Sequence, residues 1–75
     1  MKQLIEYLAR ALAKHPDDVL VEEEDQGDRS ILHLFVNEED KGRMIGREGR
    51  IANAMRSLLH VAATRAGVRA TLSIE

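Results

Sequence analysis

The sequence contains no cysteine and no tryptophan, a single proline, Pro16, and only two aromatic rings, Tyr7 and Phe35. Without cysteine there is neither a disulfide framework nor a thiolate zinc site, which suits a reducing compartment. Two rings are too few for a base-stacking platform of the RRM or OB-fold kind. No segment approaches the roughly 18 consecutive apolar residues of a membrane span, and Met1-Lys2-Gln3-Leu4-Ile5-Glu6 lacks the apolar stretch of a signal peptide. A cytoplasmic location with no membrane partner is expected. Net positive charge is missing as well: the formal charge is −2, which argues against a simple basic coat for nucleic acid. His15, His33 and His60 are scattered without metal-ligand spacing, so neither a metal nor another cofactor is expected. Ser30, Ser57 and Ser73 have no base at catalytic spacing, and a 75-residue chain rarely encloses a catalytic cleft. The expectation is that this is not an enzyme.

What remains is an ordinary globular composition, 44% hydrophobic and 32% charged, in one domain spanning residues 1–75. Leu4, Ile5, Leu8 and Leu12 recur at helical spacing before His15-Pro16, predicting a helix over about 2–14. Val19-Leu20-Val21 leads into the acidic run Glu22 to Asp25, Gln26-Gly27-Asp28 supplies turn residues, and Ser30 to Val36 is again β-rich. These read as a hairpin of strands at about 18–24 and 30–36. Leu32, Leu34 and Val36 share one face of the second strand; His33 suggests that the other face, with Ile31 and Phe35, is the wetter. Asn37 followed by Glu38-Glu39-Asp40 is a helix start, predicting a short helix over about 38–45 that Gly46 closes. A longer helix, about 49–66, follows from Ile51, Met55, Leu58, Leu59, Ala62 and Ala66, and ends at Gly67. Val68 to Ile74 alternates as a last strand, about 68–74. The order α-β-β-α-α-β implies an α+β fold of two layers, a three-stranded sheet with helices on one face.

One segment is not demanded by folding alone. Gly46-Arg47-Glu48-Gly49 sets two glycines three apart between two helices, so the backbone turns tightly with no side chain in front of it. The second glycine opens the long helix, whose first N–H groups and positive dipole end favour phosphate, and Arg47 and Arg50 add forked donors. The motif is neither a dinucleotide fingerprint nor a P-loop, because it lacks both the G-x-G pair and the Gly-Lys-Ser/Thr ending. By itself it is either an anion-gripping turn or a plain connector.

Its setting decides between these. Met44-Ile45-Gly46-Arg47-Glu48-Gly49-Arg50-Ile51 resembles the signature of KH domains, in which a GxxG loop clamps nucleic-acid backbone. The element order resembles the type II KH arrangement. The length, the opening helix and Asn37-Glu38-Glu39-Asp40-Lys41-Gly42-Arg43 resemble the small bacterial single-KH RNA-binding proteins of the KhpA family. The resemblance implies that Gly46, Arg47, Glu48 and Gly49 form the clamp, with Arg50 beside it and Lys41, Arg43 and Asn53 nearby. It also implies that Ile45 and Ile51 make an apolar floor and that the second strand is the opposite wall. About four nucleotides would lie against aliphatic side chains, so the scarcity of rings is no objection. Glu48 is the departure: inside the groove it would repel phosphate, and it is expected to face solvent. Further implied are single-stranded RNA as partner, a role as RNA chaperone or post-transcriptional regulator, self-association or pairing with the KH-containing protein KhpB, and links to cell-shape and cell-wall homeostasis. The alternative is a protein-interaction module on a KH fold with little RNA affinity of its own.

The charge is divided to match. Residues 1–40 hold four basic and eleven acidic residues, net −7, whereas residues 41–75 hold seven and two, net +5. Lys41, Arg43, Arg47, Arg50 and Arg56 cluster about the turn in sequence. Arg65 and Arg69 read instead as solvated surface.

Overall fold

Leu4, Ile5, Leu8 and Ala9 put an apolar stripe on α1, which runs Lys2–Leu12 in the computed structural model, whose coordinates describe residues 1–75. Ile5 and Ala9 are fully buried. The helix stops two residues before the span that periodicity suggests, because Ala13 is extended and the amides of Lys14 and His15 are diverted to the carboxylate of Asp40, both at 2.9 Å. After a short 3-10 turn at Pro16–Asp18, β1 (Leu20–Asp25) and β2 (Ser30–Phe35) pair antiparallel, from Leu20↔Phe35 to Asp25↔Ser30. Between them Gly27 takes a φ of 88°, and the Gln26 amide donates to the Arg29 carbonyl at 2.8 Å.

Asn37 starts α2 (Glu38–Ile45) as its chemistry dictates: its side-chain oxygen accepts from the Glu39 amide at 2.9 Å. The long α3 is Arg50–Ala66, closed by Gly67 at a φ of 72°. β3 (Ala70–Ile74) returns beside β2 and runs parallel to it, from Ser30↔Ala70 to Leu34↔Ile74. The sheet order is β1-β2-β3, so β2 is central and β3 has one open edge.

The helices cover one face of the sheet. Val21, Leu32, Leu34 and Leu72 point inward and meet Ile5, Met44, Met55 and Leu59 in one core. The inward stripe of α3 is Ala52, Met55, Leu59 and Ala63. Leu58, which the apolar spacing includes, is 48% exposed, and Val61 is 53% exposed. Each lies about 100° or more around the helix from Leu59, too far to reach a single sheet below.

The wetter face of β2 carries a clamp across all three strands. His33 Nδ1 meets Glu75 Oε2 at 2.8 Å, its Nε2 meets Glu24 Oε1 at 2.9 Å, and Ser73 Oγ donates to Glu75 Oε2 at 2.6 Å. Glu75 and then Glu24 hold the imidazole above its ordinary pKa. Ser73 and then His33 hold the Glu75 carboxyl below its own; Gln26 and then His33 do the same for Glu24. A raised histidine contributes stability that is complete below its unfolded value of about 6.5 and is lost as pH rises through the higher folded value. Melting temperature is therefore expected to fall as pH rises above about 6.5, and a His33→Gln chain is expected to lack that slope. Equal slopes in the two chains, followed by circular dichroism, would show that the clamp carries no charge.

Candidate nucleic-acid interface

Two helix ends meet at the glycine turn. The Gly46 amide closes α2 by donating to the Gly42 carbonyl at 2.8 Å, and Gly46 itself sits at φ 76°, ψ 172°. Arg47–Gly49 form one 3-10 turn closed by the Gly49 amide on the Gly46 carbonyl at 3.2 Å, and Gly49 at φ 75° leads into α3. Only glycine takes these angles without strain. At Gly46 there is a second reason: a Cβ would lie 2.8 Å from the Ile51 backbone nitrogen and 2.5 Å from its Cγ1. A Cβ on Gly49 would meet only Asn53, at 3.7 Å. The first glycine is thus required by packing and the second by conformation.

The turn presents an uncovered, electropositive helix end. No side chain caps α3, and no acid stands in its first turn, so its leading N–H groups are available to an anion. Arg47 is exposed, and Arg50 projects with 78% of its side chain accessible. Glu48 takes a left-handed φ of 57° and faces solvent, 76% accessible, with Oε2 at 3.9 Å from the Arg50 guanidinium. This is the outward orientation expected for it. The acid therefore screens Arg50 without filling the turn.

Of the other residues, the fold gathers most and turns one away. Ile45, 43% exposed, and half-buried Ile51 flank the turn as apolar surface. Asn53 lies one helical turn beyond Gly49, and its Oδ1 accepts from Arg56 at 3.4 Å. Lys41 shares a flank of α2 with Ile45 and pairs with Glu38 at 3.5 Å. Arg43 lies about 200° around α2 from Lys41, against buried Asp40 at 4.0 Å. It belongs to the junction with α1 rather than to the turn.

The wall is also corrected. β2 has both edges occupied, so the second strand cannot offer a free edge beside the turn. The strand that flanks α3 is β3, tied to it by Arg56 Nε donating to the Leu72 carbonyl at 3.4 Å. A shallow trough runs between α3 and β3, floored near Arg56 by Leu59 and Leu72. Arg56 straddles it, one helical turn from Asn53. The period-2 reading of Val68 to Ile74 could not reveal this, since it reports which face of a strand is apolar and not which strand neighbours which.

Two features were absent from the sequence reading. Asp40, read there as a first-turn acid complementing the α2 dipole, is fully buried. Burial pushes its carboxyl up, but the Lys14 and His15 amides, with His15 and Arg43, more than offset this and hold it below the ordinary range. The other is the wall strand itself. Asp40 fixes the start of α2 against the end of α1, and so sets where α2 delivers Gly46.

A family model described as the KH domain of KhpA/KhpB matches residues 2–74. A protein called RNA-binding protein KhpA from Halalkalibacterium halodurans is 46% identical over 74 residues, covering 99% of this chain and 97% of that one. Its namesake from Clostridium acetobutylicum is 42% identical over 74 residues and covers 99% of each chain. That from Thermotoga maritima is 41% identical over 59 residues, 79% of each. Among solved structures, Aquifex aeolicus Era bound to GDP and AlF4− superposes with a TM-score of 0.61 at 18% identity over 97% of this chain. Era in complex with MgGDPNP and nucleotides 1506–1542 of 16S ribosomal RNA gives 0.58 at 17%. This chain spans 28% of the Era chain in each case, and the likeness is one of fold.

Proposed function

This chain belongs to the KhpA/KhpB KH-domain family, and from that premise we propose that it binds single-stranded RNA by holding the sugar–phosphate backbone at Gly46–Gly49. The observation that carries the reading is the bare turn opening onto an uncapped α3 N-terminus between Arg47 and Arg50. Phosphate oxygens sit at the exposed amides and the two guanidiniums supply forked donors. Bases extend from there over Ile45 and Ile51 into the trough beside β3, held by aliphatic surface rather than by rings. So few contacts give modest affinity and weak sequence preference.

The test uses Gly49→Asp, because Gly49 has room for a side chain where Gly46 has none. In a chain still folded by circular dichroism, affinity for a short single-stranded RNA is expected to fall at least about tenfold, through the strained φ and a carboxylate in the phosphate position. The wild-type dependence of log affinity on log salt is expected near −2 to −3, about −0.7 for each of three or four phosphate contacts. Unchanged affinity in folded Gly49→Asp sinks the reading.

The finer role is that of an RNA chaperone or post-transcriptional regulator in the cytoplasm, acting on cell-shape and cell-wall homeostasis with a second KH module, either another copy or KhpB. A lone weak module gains from a second by raised effective concentration. Leu58 and Val61, exposed on the outer side of α3, supply an apolar surface for that association. Sedimentation velocity checks it: Val61→Glu is expected to shift any self-associated species to monomer, and an unshifted profile excludes this surface. The same exposed pair is what favours the second reading, a protein-interaction module with little RNA affinity.

A further inference from the structure

The trough does not end at Arg56. It continues along α3 into the largest cleft of the molecule, about 640 Å³, at the end of α3 away from the glycine turn. His60, Ala70 and Thr71 line both this cleft and the stretch beside Arg56. Asn53, Arg56, His60, Thr64 and Gly67 follow Gly49 at steps of three or four, so they share one face of α3, and from Arg56 to Gly67 that face lines the two adjoining hollows. The cleft is lined from His60 to Gly67, so it lies roughly 16–27 Å along α3 from Gly49.

Two arginines from distant parts of the sequence stand at that far end. Arg29 precedes β2 and Arg69 precedes β3; because these strands are parallel with Ser30 opposite Ala70, the two arginines enter the sheet side by side. The Ser30 amide fixes them there by donating to the Arg69 carbonyl at 2.9 Å. Arg10, Lys41, Arg43 and Arg50 each have a carboxylate partner, but Arg29 and Arg69 have none. Asp28 lines the cleft and Asp25 the hollow beside it, neither within 4.0 Å of these arginines. Arg29 and Arg69 both line the cleft, and a phosphodiester there fits their forked donors.

We infer that Arg29 and Arg69 form a second phosphate grip for the same RNA strand, one that engages only when the strand is long enough to run from the glycine turn to the far end of α3. This rests on the RNA-binding reading above. It adds a length requirement and a second anchoring point, and it takes Arg69 out of the solvated surface to which sequence alone assigns it.

The experiment measures affinity by fluorescence anisotropy for two single-stranded RNAs, one of about four nucleotides, the span of a GxxG clamp, and one roughly three times as long. For the chain carrying Arg29→Gln and Arg69→Gln together, binding of the long RNA is expected to weaken about tenfold and its salt slope to become shallower by about 1.4, two contacts at roughly 0.7 each. Binding of the short RNA stays as in wild type. A control carrying Lys2→Gln and Arg65→Gln removes the same charge elsewhere and is expected to leave the length dependence intact. Equal weakening for both RNAs, equal weakening in the control, or no weakening for the long RNA overturns the second grip. The two readings separate cleanly, since Gly49→Asp loses both lengths whereas the arginine pair loses only the long one.

Discussion

Gly46→Ala is expected to cost about 3 kcal/mol of folding stability, while Gly49→Ala costs about 1–2. Both positions have φ near 75°; Gly49, with ψ 14°, is left-handed helical and charges a side chain roughly 1–2 kcal/mol, while Gly46, with ψ 172°, lies in a region essentially reserved for glycine, at roughly 1–3 kcal/mol. Only Gly46 adds overlap: its Cβ would stand 2.8 Å from the Ile51 backbone nitrogen, and relieving such overpacking costs about 1–3 kcal/mol more. The Ile51 nitrogen belongs to the first turn of α3, so yielding means moving the helix, not rotating a side chain. A domain of this size has only roughly 4–11 kcal/mol to lose. Urea denaturation of the two variants measures the difference, and equal midpoints would refute the packing role of Gly46. Gly67, left-handed like Gly49 and with open space around it, is the reference for the conformational cost at Gly49.

The second large effect is at Asp40. Replacing it with alanine strands the amides of Lys14 and His15, and replacing it with asparagine puts an amide donor against one of them. Melting is expected to fall by roughly 10–20 °C for alanine and by less for asparagine, from the cost of unpaired buried donors and the small enthalpy of a short chain. The sign of the pH dependence follows from the lowered carboxyl. A depressed folded pKa contributes stability that is present above the unfolded value near 3.9 and is lost as pH falls through the folded one. The wild type is therefore expected to lose stability below about pH 4 more steeply than Asp40→Asn. Thermal melts across that range decide it, and parallel acid limbs would mean that Asp40 is not the group responsible. Because α2 is anchored through Asp40, RNA binding is expected to weaken in these variants only as far as the fold does.

The glycine turn was legible because its cause is local. Gly46, Gly49 and Gly67 each take a positive φ, and a glycine between helical periods announces such a position in the sequence itself. Asn37 was legible for the same reason, since its cap reaches two residues along the chain. Glu48 could be placed outward because a carboxylate inside the groove would repel phosphate. The rest depended on partners far away in sequence. Asp40 looked like any first-turn acid; its function is set by amides 25 and 26 residues earlier. His33 marks the wet face in the sequence, but the carboxylates that clamp it are 9 and 42 residues away.

What the sequence by itself determined is therefore the set of elements, the apolar faces that fold them into two layers, and the bare turn between α2 and α3. Each depends on spacing within a few residues, where helical and strand periods and glycine's freedom act directly. Only the tertiary structure decided that β3 rather than β2 walls the trough, that Arg43 turns away from it, and that Arg29 and Arg69 stand together at its end. A period-2 pattern states which side of a strand is apolar and is silent on its neighbour. The neighbour is set by long-range packing: β3 lies parallel to β2, and Leu72 joins Met55 and Leu59 of α3 in the shared core.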